Sequence, residues 1–267
     1  MDAAQGDLFG SGEGGSGQGG SGGEFSEADM RIIASLYSDG GLDPELPEPE
    51  AELLWRLCPE AFALALHARM SELPVGAAIF RFREKVLGAA DSAGLSANAG
   101  AAAGIGRTGI AMRRAALLAA EDHGDPDTGA VREAARKVEH EIARMRGFLR
   151  FAPGADGVYL APCAPDHFIL PALGPHFRKR FGGAPWTIVD EKRRLRLRHL
   201  PKKPFEFSGT DGSGARIAGS GEWERLWQRY HAAAGRKDRR NPELQRRFLP
   251  ERYRKYLTEM REGEEPR

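Results

Sequence analysis

Cysteines, paired histidines and long apolar runs are all scarce in this chain, and each scarcity excludes a class of protein. Only Cys58 and Cys163 occur among 267 residues, too few for a disulfide framework or a cysteine-rich zinc site. The seven histidines are scattered without metal-ligand spacing. No run approaches the roughly 18 apolar residues of a membrane span, and no basic start precedes an apolar stretch as in a secretory signal. We therefore expect a cytoplasmic protein that has no membrane contact, no bound metal and no cofactor.

The net charge of +1 conceals a strong division of charge along the chain. Residues 1–50 contain eleven Asp and Glu against one Lys or Arg, whereas residues 131–260 contain twenty-eight Lys and Arg against fifteen Asp and Glu. A basic half suits a polyanion-binding surface, because cations that neutralise phosphates release condensed counterions. The C-terminal half is predicted to contact nucleic acid, with a solvated arginine-rich surface as the alternative.

The first 25 residues are predicted to form a disordered tail. Residues 10–23 are almost pure glycine and serine, a composition typical of a flexible coil. We expect a single folded domain over residues 26–262, which begins near Ser26, where this run ends. Within it, the Ala/Gly-rich stretch at about 88–128 is interpreted as an insertion.

The apolar spacing predicts helices at both ends of this domain. Residues 49–70 have helical spacing, a second helix is expected from the Leu73-Pro74 step, and residues 128–146 form a third. The third helix has a predicted buried stripe through Val131, Val138, Ile142 and Met145.

A small sheet is predicted between these helices and further helices near the C-terminus. Residues 148–162 predict two short strands joined by a turn at Gly154–Gly157, and residues 186–200 predict a hairpin with one apolar and one basic face. Pro171 and Pro175 predict that residues 166–181 are broken into two short helices. The expected fold is α+β, a small antiparallel sheet flanked by N-terminal and C-terminal helices.

Two C-terminal stretches repeat large apolar residues at helical spacing. We expect them to belong to the core, with base-stacking platforms as the alternative. The residues concerned are Trp223, Leu226, Trp227 and Tyr230, then Tyr253, Tyr256, Leu257 and Met260.

Residues 100–111 resemble the phosphate loop of protein tyrosine phosphatases. That family requires a cysteine thiolate as nucleophile, and Ala101 stands in its place, so a phosphocysteine mechanism is excluded here. An anion-binding nest, a glycine hairpin of the helix-hairpin-helix kind and a chance match remain, and we favour the chance match. The residues in register are Gly104, Arg107, Thr108 and Gly109.

The weak catalytic candidates are three polar residues beside predicted sheet ends, His167, His176 and Asp190. Sites often lie at such edges, but a salt-bridged or capping role is the favoured interpretation of each residue. Whether the protein is an enzyme is left open.

Several long segments occur in a distinctive order along the chain, namely SELPVGAAIFRF (71–82), VEHEIARMRGFLRF (138–151), DGVYLAPCAPDHFILPALGPHFRKRF (156–181), WTIVDEKR (186–193) and residues 223–260. Together they resemble a bacterial family of DNA metabolism and repair proteins, itself a domain of unknown function. The resemblance covers roughly residues 50–260 and departs from the family in the acidic start and the long 88–128 stretch.

That resemblance implies a role in DNA repair or processing. Family members are typically encoded beside a radical-SAM DNA repair protein, and some are fused to a uracil-DNA glycosylase-like domain, but no catalytic residue carries over. With the charge distribution, it predicts DNA contact through the basic residues of the C-terminal half. These are Arg144, Arg146, Arg150, Arg178, Lys179, Arg180, Lys192, Arg193, Arg194, Arg196, Arg239 and Arg240.

The N-terminal tail contains a peptide that resembles the motif by which bacterial repair and replication proteins bind the DNA sliding clamp. Gln5, Leu8 and Phe9 stand in the register of that motif, with Leu and Phe as paired apolar anchors. Gly6 replaces the more common leucine. The following Gly/Ser run would act as a tether with a reach of roughly 20 Å. A cloning remnant and a plain disordered end are the alternatives.

Three functions are compatible with these patterns. The first is a DNA repair accessory protein that binds DNA, a radical-SAM partner and the sliding clamp. The second is a DNA-processing enzyme that acts on damaged bases. The third is a non-catalytic protein-interaction module whose basic face meets an acidic partner.

Overall fold

The structure is a computed structural model that describes residues 48–99, 105–154, 156–203, 205–210, 225–230, 233, 243–244, 249–257 and 260. Several residues singled out from the sequence lie outside these ranges, namely Gln5, Leu8, Phe9, Gly104, Trp223, Arg239 and Arg240.

Between residues 48 and 148 the described chain forms helices. They are α1 (Glu48–Leu57), α2 (Pro59–Arg69), α3 (Gly76–Ala99), α4 (Ile105–Ala120) and α5 (Pro126–Phe148). The helix predicted over residues 49–70 is divided, because Pro59 lacks an N–H and stands in the first turn of α2.

Most of the Ala/Gly-rich stretch at 88–128 is helical, because α3 continues to Ala99 and α4 packs along it. At Gly94 an added Cβ would lie 3.0 Å from the Sδ of Met112, so the two helices approach closely there. Lys85 of α3 also pairs with Asp122, just after α4, at 2.7 Å. Arg107 lies inside α4, so the part of the phosphate-loop-like sequence that is described forms a helix.

Helix α5 contacts α2, α3 and the later helix α6 (Leu170–Phe181). It begins where the Asp125 carboxylate accepts from the N–H of Thr128 at 2.8 Å, an N-cap that satisfies an unpaired helix donor. The predicted stripe is confirmed, since Val131, Val138, Ile142 and Met145 are all buried.

The described strands form a five-stranded sheet in sequence order, and the fold is α+β as predicted. The strands are β1 (Ala152–Pro153), β2 (Tyr159–Cys163), β3 (Trp186–Asp190), β4 (Leu195–His199) and β5 (Glu206–Gly209). Both predicted hairpins are confirmed, because β1 pairs with β2 and β3 with β4 in antiparallel fashion. The predicted antiparallel sheet is wrong in one place, since β2 and β3 are parallel and the sheet is mixed.

β2 and β3 are parallel because α6 connects them. A parallel pair requires such a connection, which carries the chain from the end of β2 back to the side of the sheet where β2 begins. The prediction of two broken helices is wrong. Pro171 stands in the first turn, where a missing N–H costs nothing, and Pro175 is accommodated inside a continuous helix. At Gly174 an added Cβ would lie 3.1 Å from the Phe205 ring and 3.2 Å from Leu197, so α6 packs closely against the sheet.

The two C-terminal stretches of large apolar residues differ in burial. Tyr253 of α7 (Glu251–Arg254), Tyr256 and Leu257 are buried, and Met260 packs against the core, as predicted. The expectation for the other stretch is wrong, because Leu226, Trp227 and Tyr230 are exposed in a helical segment at 225–230. Within the described ranges, no helix is both long and apolar enough to cross a bilayer.

Candidate functional site

Two of the three candidate catalytic residues, His167 and Asp190, lie at one edge of the sheet. Because β2 and β3 are parallel, their carboxyl ends meet at the same edge, the usual location of sites in sheets with parallel strands. The loop 164–169 follows β2, and the turn 191–194 follows β3.

Glu141 of α5 holds the loop 164–169 through hydrogen bonds to its backbone. Its side chain is 4% exposed, and its two carboxylate oxygens accept from the backbone N–H groups of Asp166 at 2.6 Å and His167 at 2.7 Å. The hydroxyl of Tyr253 donates to the same carboxylate. A buried carboxylate needs such donors, because burial without hydrogen bonds costs several kcal/mol, about 2–7 for a neutral group alone.

Arg193 ties the loop to the strand-end turn. Its guanidinium donates to the Asp190 carboxylate at 2.7 Å, to the carbonyl oxygens of Pro165 at 3.2 Å and Asp166 at 2.7 Å, and to the Glu72 carboxylate. Asp190 is fully buried, and its other oxygen accepts from the N–H groups of Lys192 and Arg193. One guanidinium therefore holds three separate segments of the chain.

The C-terminal residues complete this edge. Arg252 pairs with Asp166, and the Tyr256 hydroxyl donates to Glu191 at 2.6 Å. Burial raises the pKa of both Tyr253 and Tyr256, and the adjacent carboxylates, Glu141 and Glu191, raise it further, so each phenol keeps its proton as a donor.

We call the set Glu72, Glu141, Asp166, His167, Asp190, Arg193 and Tyr253 the edge network. Its His167 accepts at Nδ1 from the N–H of Glu72 at 3.3 Å, which places the proton of a neutral imidazole on Nε2. The acidic members hydrogen-bond to protein donors, and Asp190 has no solvent-exposed surface. The edge network therefore positions the loop 164–169. Among the described residues there is no cluster of three side chains that could bind a metal ion.

His176 lies in a different environment, on the second half of α6. Burial lowers the pKa of its imidazole, and the cations of Arg146, Arg180 and Lys179 lower it further. Arg146 is in the last turn of α5, and Lys179 and Arg180 are in the last turn of α6. We call His176, Arg146, Lys179 and Arg180 the basic cluster.

The carboxyl ends of α5 and α6 are adjacent at this cluster. Phe151, just past α5, packs on Phe181, the last residue of α6, with ring centroids 4.6 Å apart, and on Phe177 at 4.9 Å. Arg150 bonds to the carbonyl of Gly147 at 2.6 Å, and its guanidinium carbon lies 5.8 Å from the centroid of the Trp227 ring. The cations of two helix ends are thereby brought into one region.

The remaining predicted DNA contacts lie on α5, on α6, on β4 and in the turn that precedes β4. Arg178 stacks over Phe205 at 5.0 Å, and Arg196 donates to the Ser208 hydroxyl at 2.6 Å. The Lys192 ammonium donates to the Asp166 carbonyl at 2.8 Å. Arg144 and Arg194 are exposed. The guanidinium of Arg193, unlike the exposed cations, donates its hydrogen bonds within the edge network.

Sequence reasoning missed Glu141, Tyr253 and Glu72 as members of a site. A signal for Glu141 was present, because it lies three residues after Val138 and one before Ile142, on the apolar face of α5. A carboxylate on a buried stripe indicates a satisfied polar network. Glu72 carried no such signal, since its partner Arg193 is 121 residues away.

The imidazole of His176 is expected to titrate below its ordinary pKa of about 6.5. Arg146→Met should raise this pKa toward the ordinary value by removing a cation, whereas Lys137→Met, an exposed change on the same helix, should not. Proton NMR titration, with the resonance assigned through His176→Asn, measures both. Because the folded-state pKa is the lower one, the unfolded chain binds the proton first. This group's contribution to stability therefore falls as pH drops from about 6.5 through the folded-state pKa. An unchanged pKa in Arg146→Met would contradict the role of Arg146.

Comparison with protein families places much of the chain in one of them. The profile of the DUF4130 family, described as a domain of unknown function, matches residues 109–259, which contain the basic cluster and all of the edge network except Glu72. No curated protein matches the chain, and no solved structure matches it.

Proposed function

Since the chain belongs to the DUF4130 family, a domain of unknown function, we propose that it is a DNA-binding accessory protein of DNA repair or DNA metabolism. The observation that carries this proposal is the convergence of cations from two helix ends on His176, where every charge that shifts the pKa of the imidazole is positive.

The cations at the ends of α5 and α6 exceed the negative charge of the two helix carboxyl ends. Each helix carboxyl end carries about half a negative charge, so α5 and α6 together present about one. Their last turns contain Arg146, Arg178, Lys179 and Arg180, and the exposed pair Lys179 and Arg180 alone gives a surplus of about one positive charge. Such a surplus attracts a polyanion, because phosphate contacts release condensed counterions.

Binding of the full chain to a labelled DNA oligonucleotide tests the proposal. We expect fluorescence anisotropy to show affinity that falls steeply between about 50 and 200 mM salt. Lys179→Glu with Arg180→Glu should weaken binding by about tenfold or more and reduce the slope of log affinity against log salt by about two.

Arg114→Glu with Lys137→Glu is the matched control, because it makes the same change of net charge at exposed positions outside the basic cluster. This control should leave the salt slope nearly unchanged. Equal losses in the two double variants would assign binding to net charge alone and overturn the role of the basic cluster.

The alternative functions differ in what the described residues can support. An enzyme acting on damaged bases would centre on His167 or Asp190, but the Asp190 carboxylate is buried against Arg193 and two backbone amides. A protein-interaction module would bind an acidic partner through the same cations. Turnover of lesion-bearing oligonucleotides by the purified chain would favour the enzyme, and an absence of DNA binding would favour the module.

The proposed partners come from sequence resemblance. We propose that the domain works with a radical-SAM DNA repair protein and that Gln5, Leu8 and Phe9 bind the sliding clamp. Pull-down of the full chain from its native cells, probed for both proteins, tests this part. Leu8→Ala with Phe9→Ala should lose the clamp and keep the radical-SAM protein.

A further inference from the structure

Three polar side chains share one face of the last two turns of α6. Lys179 and Arg180 follow His176 by three and four residues, a spacing that places their Cβ atoms about 5–6 Å from that of His176. Lys179 and Arg180 are exposed, and His176 is half-buried. No hydrogen bond or ion pair to another described residue uses any of these three side chains. They are therefore available to a ligand.

The charged groups that act on the imidazole of His176 are all cations. Arg146 of α5 is one of them, but it has a further partner within the protein, so it acts on His176 as a charge and not as a neighbouring ligand. Neither α6 nor residues 142–148 of α5 contain Asp or Glu. β4, which also packs on α6, carries two arginines and His199 but no carboxylate. These stretches offer no negative charge to a protonated imidazole.

A bound phosphate would supply the missing negative charge. An anion within about 4–6 Å of a histidine favours the charged imidazolium, whereas the cations around His176 disfavour it. A phosphate that contacts Lys179 or Arg180 comes close to His176, because the three side chains share one helix face. Once protonated, the imidazole carries a donor on each nitrogen, and a phosphate oxygen accepts from such a donor.

We propose that His176 is a third phosphate ligand beside Lys179 and Arg180, so that DNA binding adds one proton to its imidazole and strengthens as the pH falls. This inference rests on the proposed DNA-binding function and adds its regulation by protons. Affinity should rise as the pH falls through the pKa of His176 in the complex. It should level off below the pKa of the free protein, where the imidazole is protonated with or without DNA.

Fluorescence anisotropy of the full chain with a labelled oligonucleotide, at constant ionic strength, tests the inference. We expect binding about tenfold tighter at about pH 5.5 than at about pH 8. His176→Asn should remove most of this gain. His123→Asn is the matched control and should keep the gain, because His123 is exposed and precedes α5, of which about 30 Å separates Pro126 from Arg146.

A fixed charge at the same position separates protonation from a general effect of the substitution. His176→Lys should bind DNA at about pH 8 about tenfold more tightly than the unaltered chain and should lose the pH dependence. Proton NMR of the unaltered chain should show a higher pKa for His176 after DNA is added, and an unchanged pKa would contradict the inference. Far-UV circular dichroism of each variant establishes that the helices are retained.

The failure of this inference differs from the failure of the proposed function. If Lys179→Glu with Arg180→Glu loses DNA while His176→Asn keeps the full pH dependence, the imidazole is not a ligand and DNA binding stands. If His176→Asn weakens binding equally at every pH, no proton is taken up at His176 and the inference is wrong. If the chain binds no DNA at any pH, both proposals are overturned.

Discussion

Glu141→Ala is expected to lower the free energy of unfolding by about 3–5 kcal/mol. The substitution removes the acceptor of two backbone N–H groups, those of Asp166 and His167, and of the Tyr253 hydroxyl, and it leaves a cavity under the loop. Each buried donor that loses its partner costs about 1–3 kcal/mol. Urea unfolding followed by circular dichroism measures the change.

Two other variants divide this effect among its parts. Tyr253→Phe removes one donor to the carboxylate and should cost about 1.5–3 kcal/mol. Glu133→Ala is the control on the same helix, because it removes an exposed carboxylate that pairs with Lys137 in the next turn, and it should leave stability nearly unchanged. If Glu141→Ala were as mild as Glu133→Ala, the edge network would not hold the loop in solution.

Arg193→Ala is expected to destabilise the fold by a similar amount, about 3–5 kcal/mol. Its removal strands the fully buried Asp190 carboxylate and takes a donor from the carbonyl oxygens of Pro165 and Asp166. Arg193→Lys retains the charge but not the planar fork, so it should restore only part of the loss.

A double-mutant cycle checks that the Arg193 effect passes through the ion pair. Asp190→Asn with Arg193→Met should cost less than the sum of the two single changes, because each single change leaves the other partner buried and unpaired. Additive losses would mean that the guanidinium acts through Glu72 and the loop carbonyls alone. Equilibrium urea unfolding of the four proteins supplies the cycle.

Local patterns predicted the parts of the fold in which neighbours in sequence are neighbours in space. The stripe of α5 and the hairpin of β3 and β4 follow from periodicity, and both are confirmed. The parallel pairing of β2 and β3 was missed because prolines in α6 indicated a broken segment, whereas the first-turn position of Pro171 tolerates its missing N–H.

The sequence named His167, His176 and Asp190 as candidates, and it indicated none of the contacts that the structure shows for them. His167 and Asp190 are at the same sheet edge, but His176 is in the basic cluster, and no spacing rule links Arg193 to Glu72. The helical spacing of Leu226, Trp227 and Tyr230 predicted burial, yet periodicity reports only that one face of a helix is apolar. It does not report what covers that face.

The hydrogen bond between Glu141 and Tyr253 also sets an order of events during synthesis. The two residues are 112 positions apart, so at ordinary elongation rates the tyrosine is added on the order of ten seconds after the glutamate. Throughout that interval the carboxylate needs water in place of the phenol. The apolar face of α5 therefore cannot close completely around it, and completion of this part of the core awaits the synthesis of Tyr253.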